Sequence, residues 1–320
     1  MVTPVSTQNS YTMILNDLLG AQSKELTAEQ EVSTGKKGSD LQGFGNQTAN
    51  LVATNTVKSQ VDGLVSSLNN LSVSLNFQQT ALGQVSDVAA NLKQALTSAL
   101  ASGAGDGVMS QVQSYFSEAA QALNSQYGGD YIFSGGQTQT QPFTATDISQ
   151  LAATPPAANP AVSSFFQNGN LPPTSRIDTS TSIQTGFLAS DVGQQLMQVF
   201  QDIQTFQTSS NGNLGGPLTQ AQQTFLQNEI GTLNNVVTAT TQNTATGGDI
   251  QAQVQQATTT QTDRQTTLTN VLGDITDVNM AQAASDLSQA QSAVQASAQV
   301  FLALKGMSLL NYLSATTTGG

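Results

Sequence analysis

Apolar side chains recur at alternating steps of four and three through Leu64, Leu68, Leu71, Leu75, Gln78, Leu82, Val85, Ala89, Leu92 and Leu96. That spacing is a heptad seam. It predicts a Pro-free helix from about Ser59 to Leu100, roughly 60 Å long at about 1.5 Å per residue. Such a rod needs another rod beside it to cover its stripe. Residues Gly103 to Gly107 interrupt the pattern, and Val112, Tyr115, Phe116, Ala119 and Leu123 resume it within Val108 to Tyr127. From Gly128 the chain reads GGDYIFSGGQTQTQPF, then TPPAANP, then the diproline Pro172-Pro173. These predict short β-hairpins and turns, with Arg176 to Gln184 the best strand candidate. Helical spacing returns at Val192, Leu196, Val199, Phe200, Ile203 and Phe206, breaks at NGNLGGP, and resumes through Leu218, Phe225, Leu233 and Val237.

Both flanks carry further stripes: Tyr11, Leu15, Leu18, Gln22 and Leu26 near the start, and Leu287, Ala290, Val294, Ser297, Phe301, Leu304 and Ser308 near the end. Neither has an obvious local partner. The fold class expected is mainly α with a small β-containing domain, an elongated hairpin-like chain whose first and last helices form a coiled coil. Five segments follow: an assembly helix and turn region at 1–58, a helical rod at 59–127, the β-containing domain at 128–191, a returning rod at 192–246 and assembly helices at 247–320. The unpartnered stripes could close on one another within a bundle, or pair with copies in neighbouring subunits. The second arrangement assigns a subunit interface to Tyr11, Leu15, Leu18, Leu26, Leu287, Val294, Phe301, Leu304, Met307, Leu309, Leu310 and Leu313.

Composition narrows the chemistry. Only 9% of the 320 residues are charged, against about 25% in ordinary globular proteins. Gln, Thr, Ser and Asn take the solvent positions instead, giving a surface with few charges to desolvate on meeting a partner. A net charge of −12 with eight Lys plus Arg argues against nucleic-acid binding. With no Cys and no His, the chain lacks a disulfide framework and the commonest general base and metal ligand. A non-enzymatic protein without cofactor or metal is expected, a carboxylate-only glycan-cleaving or glycan-binding protein or an adhesin being the distant alternatives. Asp274 and Asp277 read as helix-capping, solvated carboxylates rather than a catalytic pair. The sequence SGGQT lacks the Lys of a phosphate loop and reads as a turn. Asn70-Leu-Ser72 is a formal glycosylation pattern inside the long helix. The opening residues lack a basic region and a continuous apolar run, so neither a signal peptide nor membrane insertion is expected.

Three stretches resemble the bacterial flagellin family. STQNSYTMILNDLLGAQSKELTAEQEVSTGKKGSD is similar to the opening of flagellins and flagellin-like junction proteins, with the turn Ser33, Thr34, Gly35, Lys36, Lys37. ITDVNMAQAASDLSQAQSAVQASAQVFLALKGMSLLNYL is similar to the family's ending. GGDYIFSGGQTQTQPF resembles a signature of the hook–filament junction members, which filament flagellins usually lack. Two positions depart from the family pattern: Ser39, Asp40, Leu41 and Gln42 replace an Asp pair, and Asn279 stands where Asp is common, keeping a capping side chain. The resemblance implies a structural subunit of the flagellum, a hook–filament junction adaptor or else a filament-forming flagellin. It implies further that the chain is exported unfolded by the flagellar secretion route to an extracellular location. Its partners would be itself, flagellin, other hook-associated proteins and an export chaperone on the last helix.

Overall fold

The computed structural model describes the backbone of residues 4–153, 159–210 and 212–317, with side chains described for residue 9 and for those from 11 to 303 within these ranges. Six helices are present among them: α1 (Pro4–Thr34), α2 (Thr48–Ser102), α3 (Val108–Leu123), α4 (Ala189–Thr208), α5 (Gln220–Thr276) and α6 (Met280–Thr317). The strands are β1 (Gln126–Tyr127), β2 (Asp130–Tyr131), β3 (Thr174–Arg176) and β4 (Ser182–Gln184), forming two antiparallel hairpins. This is the mainly α fold with small β elements that the periodicity predicts. The chain divides into two compact units, residues 61–263 and residues 1–60 with 264–320.

In the 61–263 unit, the α2 seam is buried as its spacing requires: Leu68, Leu75, Gln78, Leu82, Val85, Ala89, Leu92 and Leu96 are all below 9% exposed, with Leu64 and Leu71 half-buried. α2 begins eleven residues earlier than the seam suggested, at Thr48 rather than Ser59. Apolar residues are too sparse before Leu64 to advertise the helix, yet nothing in TANLVATNTVK breaks it. α5 buries Leu226, Glu229, Leu233, Val236, Thr240, Gly247, Ile250, Val254 and Gln261, a heptad series that runs unbroken through Gly247-Gly248. Phe225 and Val237, taken from the sequence as members of its stripe, flank that series half-buried. A Cβ on Gly247 would lie 2.5 Å from Gln79 Oε1 and 3.3 Å from Leu82, so α2 and α5 approach closely there. The Gln79 amide donates to the Thr244 carbonyl at 3.0 Å.

The two helix breaks meet each other. Leu218 N donates to Gly103 O at 2.8 Å, Gly105 N to Gly216 O at 2.8 Å, and Gly216 N to the Asp106 carboxylate at 2.8 Å. Gly105 lies so close to Leu214 that a Cβ would come within 3.0 Å of its backbone, which explains why the break is glycine-rich.

Between α3 and α4, the GGDYIFSGGQTQTQPF stretch contributes two aromatic rings to the core. Gly128 and Gly129, both at positive φ, make the two-residue turn of the β1–β2 hairpin. Phe133 and Phe143 are fully buried. The Asn124 side chain accepts from Phe143 N at 2.9 Å and donates to Phe143 O at 2.8 Å. Phe116 meets Phe143 and Phe200 edge-on, with centroids 6.1 and 5.6 Å away. The stretch Arg176 to Gln184 is a hairpin rather than one strand: Thr174, Ser175 and Arg176 pair with Gln184, Ile183 and Ser182. Asp178 turns the chain by accepting from Thr179 N at 2.6 Å, a local bond that competes with continued extension.

Candidate assembly interface

The other unit is built on an antiparallel pair, α1 and α6. Its buried side is a heptad seam on each helix, with Ala21 and Ala28 buried on α1 between half-buried Ile14, Leu18, Glu25 and Val32. On α6 the series is Ala283, Leu287, Ala290, Val294, Ser297 and Phe301, with Ala283 and Ala290 the most buried. Alanine at the centre of both seams lets the backbones approach closely. A groove of about 510 Å³ remains along the pair, lined by Ala28, Ala290 and Ala293 with Lys24, Glu31 and Asp286 at its edge. Towards the start of α1, Tyr11 rests on Phe301 with ring centroids 5.1 Å apart.

At the opposite end of α1, the Ser33-Thr34-Gly35-Lys36-Lys37 turn closes on the α5–α6 junction. Gly35, at φ +69, ends α1 by donating to Glu31 O at 2.8 Å, the left-handed C-cap that glycine adopts without a Cβ penalty. Lys37 N donates to Thr276 O at 2.8 Å and Val278 N to Gly35 O at 3.0 Å, a short backbone ladder on either side of a Lys36–Asp277 bridge. The Lys36 ammonium pairs with the Asp277 carboxylate. The Lys37 ammonium donates to the carbonyls of Asp274 at 2.8 Å and Ile275 at 3.2 Å, placing a cation on the negative end of α5. The hydrogen bond from Lys36, then that from the Thr276 hydroxyl, hold the Asp277 carboxyl below its ordinary range. Asn279 caps α6 by accepting from Ala281 N at 3.0 Å and Gln282 N at 3.3 Å, as its residue type predicts. Asp40 likewise caps the short 3-10 turn Leu41–Gln47, accepting from Gln42 N and Gly43 N at 3.0 Å.

The residues assigned to an interface from the sequence fall into three groups. Leu18, Leu287, Val294 and Phe301 sit half-buried in the α1–α6 seam. Tyr11, Leu15 and Leu26 are 42%, 37% and 66% exposed. Leu304, Met307, Leu309, Leu310 and Leu313 lie outside the residues whose side chains are described. Sequence reasoning passed over Met13, Leu19, Met280, Val300 and Leu302, which are about half or more exposed. The available signal was a second apolar stripe beside the first: at about 100° per residue, Tyr11, Leu15, Leu19 and Leu26 share an arc of about 80°. Among the described residues, no group of three or more Asp or Glu could hold a metal ion, and no helix is long and apolar enough to cross a membrane.

Residues 230–313, which comprise most of α5 and of α6, match a known family model. It is the bacterial flagellin C-terminal helical region. The flagellin-like segment therefore includes the Asp277 turn and the α6 face that pairs with α1. The fold is shared with a protein assigned as flagellar hook-associated from Vibrio parahaemolyticus, at TM-score 0.53 and 13% identity, over 72% of this chain and 97% of that one. It is shared also with Bacillus cereus FlgL, at TM-score 0.51 and 12% identity, over 69% of this chain and 98% of that one. No curated protein sequence matches the chain.

Proposed function

We propose that this chain is a structural subunit of the bacterial flagellum, acting as an adaptor at the hook–filament junction and assembling through α1 and α6. The observation that carries the reading is the match of residues 230–313 to the flagellin C-terminal helical region, on helices whose pairing with α1 leaves Leu15, Leu19, Leu26, Val300 and Leu302 uncovered. Apolar side chains left exposed on a helix pair gain free energy when a neighbour covers them, about 1.5–3 kcal/mol for full burial of a large one. The uncharged polar surface lowers the desolvation cost of that association. The fold shared with the two hook-associated proteins favours the junction over the filament.

The interface comprises the exposed Tyr11, Leu15 and Leu26, the outer edges of Leu18, Leu287, Val294 and Phe301, and Leu304, Met307, Leu309, Leu310 and Leu313 farther along α6. Its partners are further copies of this chain, flagellin and other hook-associated proteins, and before assembly an export chaperone on α6. The protein works outside the cell, reaching the flagellum through the flagellar secretion channel, and its role is architectural rather than catalytic.

Immunogold electron microscopy of intact flagella, with antibody raised against the 61–263 unit, tests the reading. A narrow labelled band between hook and filament is expected. Label along the whole filament would make the chain a filament flagellin, and unlabelled flagella would overturn the flagellar role.

A further inference from the structure

Every other buried member of the α5 heptad seam is apolar, a glycine, or a neutral polar residue; Glu229 alone is a carboxylate, set between Leu226 and Leu233. The residue is 8% exposed, and its Oε2 is buried with no hydrogen-bond partner. The facing helix supplies no cation. Phe206 of α4 stacks on Phe225 of α5 at 4.0 Å, and one turn farther along each helix Asp202 of α4 acts on Glu229 with like charge. Asp202 is itself held by the Gln198 amide, which donates to its Oδ1 at 2.9 Å. The remaining charged groups on the helices of this unit are Asp191 on α4, Asp62, Asp87 and Lys93 on α2, Glu118 on α3, and Asp249 and Asp263 on α5. None of them forms an ion pair with Glu229, and Asp202 is the charge that acts on it.

We infer that Glu229 is a proton-operated latch on the α4–α5 pair, closed when its carboxyl is protonated and loosened when it ionises. A neutral carboxyl fits a helix seam, whereas a carboxylate there is desolvated, unpaired and repelled by Asp202. Burial, then the Asp202 charge, push the Glu229 carboxyl from the ordinary 4.5 up to about 7. The folded state therefore keeps the proton to higher pH than the unfolded chain does. Stability from the latch is complete below the ordinary carboxylate range, declines as pH rises from 4.5 to about 7 and is gone above that. A rise through neutral pH thus lowers the cost of separating α4 from α5, without any metal or ligand.

The test is urea unfolding of the full chain, followed by far-ultraviolet circular dichroism at a series of pH values from about 5 to about 8, for the wild type and Glu229→Gln. The wild-type folding constant is expected to fall on the order of a hundredfold across that window, while Glu229→Gln, nearly the same shape but unable to ionise, stays level. Equal slopes in the two proteins, or a level wild type, would overturn the latch. Should Glu229→Gln fail to fold, carboxyl-carbon NMR titration of the wild type decides. One of the five glutamates is expected to titrate near neutrality, and five titrating in the ordinary range would refute the inference.

Discussion

Replacing Leu19 and Leu26 by serine separates assembly from folding. These residues are 54% and 66% exposed on one side of α1, seven positions apart and so on one face of the helix. Full burial of a leucine is worth about 1.5–3 kcal/mol, so covering the fraction left open contributes about 1–2 kcal/mol at each position. Together they supply about 2–3.5 kcal/mol per subunit added. At about 1.4 kcal/mol per decade, the double substitution should raise the critical concentration for assembly by about twentyfold to a few hundredfold. The isolated chain should hardly notice, because neither side chain is in the α1–α6 seam; exposed-site changes usually stay within about 0.5 kcal/mol each. Sedimentation of assembled from free subunits measures the first quantity and urea unfolding the second. An unchanged critical concentration would refute the assignment of this face to the interface. A collapse of the monomer would instead place it in the intramolecular core.

Other perturbations probe the parts separately. Phe200→Ala removes a fully buried ring that stands edge-on to Phe116, and should destabilise the 61–263 unit by about 3–5 kcal/mol in urea unfolding. Gly193→Ala puts a Cβ 2.5 Å from Leu123 Cδ1 at the α3–α4 contact; overpacking of about 1–3 kcal/mol is expected by thermal or urea unfolding. The Asp277 carboxyl has a depressed folded-state value, so its tie to Lys36 is present above the ordinary carboxylate range and is lost as pH falls through the folded value. Protection of the Lys37 and Val278 amides, measured against the intrinsic exchange rate at each pH, should fall on that acidification and, at neutral pH, in Asp277→Asn. Deleting roughly the last 30 residues should leave the 61–263 unit folded by circular dichroism and abolish incorporation into flagella; retained incorporation would sink the interface assignment.

The local pattern determined the elements. The α2 seam, the glycine breaks at 103–107 and 212–216 and the Asn279 cap were all legible, because heptad spacing, glycine breaks and capping side chains act within a few residues of chain, whereas the rod read through Tyr127 ends at Leu123 and Gln126–Tyr127 is already a strand. What the sequence could not decide was which neighbour each stripe would meet. Leucine-rich Tyr11, Leu15, Leu18, Leu26 looks like the adhesive side of α1, yet the helix turns Ala21 and Ala28 towards α6 and leaves Leu15 and Leu26 outward. Close approach of two backbones favours small side chains, while apolarity alone favours large ones, and only the helix pair shows which requirement won. The same holds for the two glycine breaks, about 110 residues apart, which become one hydrogen-bonded junction. It holds for Glu229 as well, an ordinary acid in the sequence whose unpaired burial arises from the register of α5 against α4.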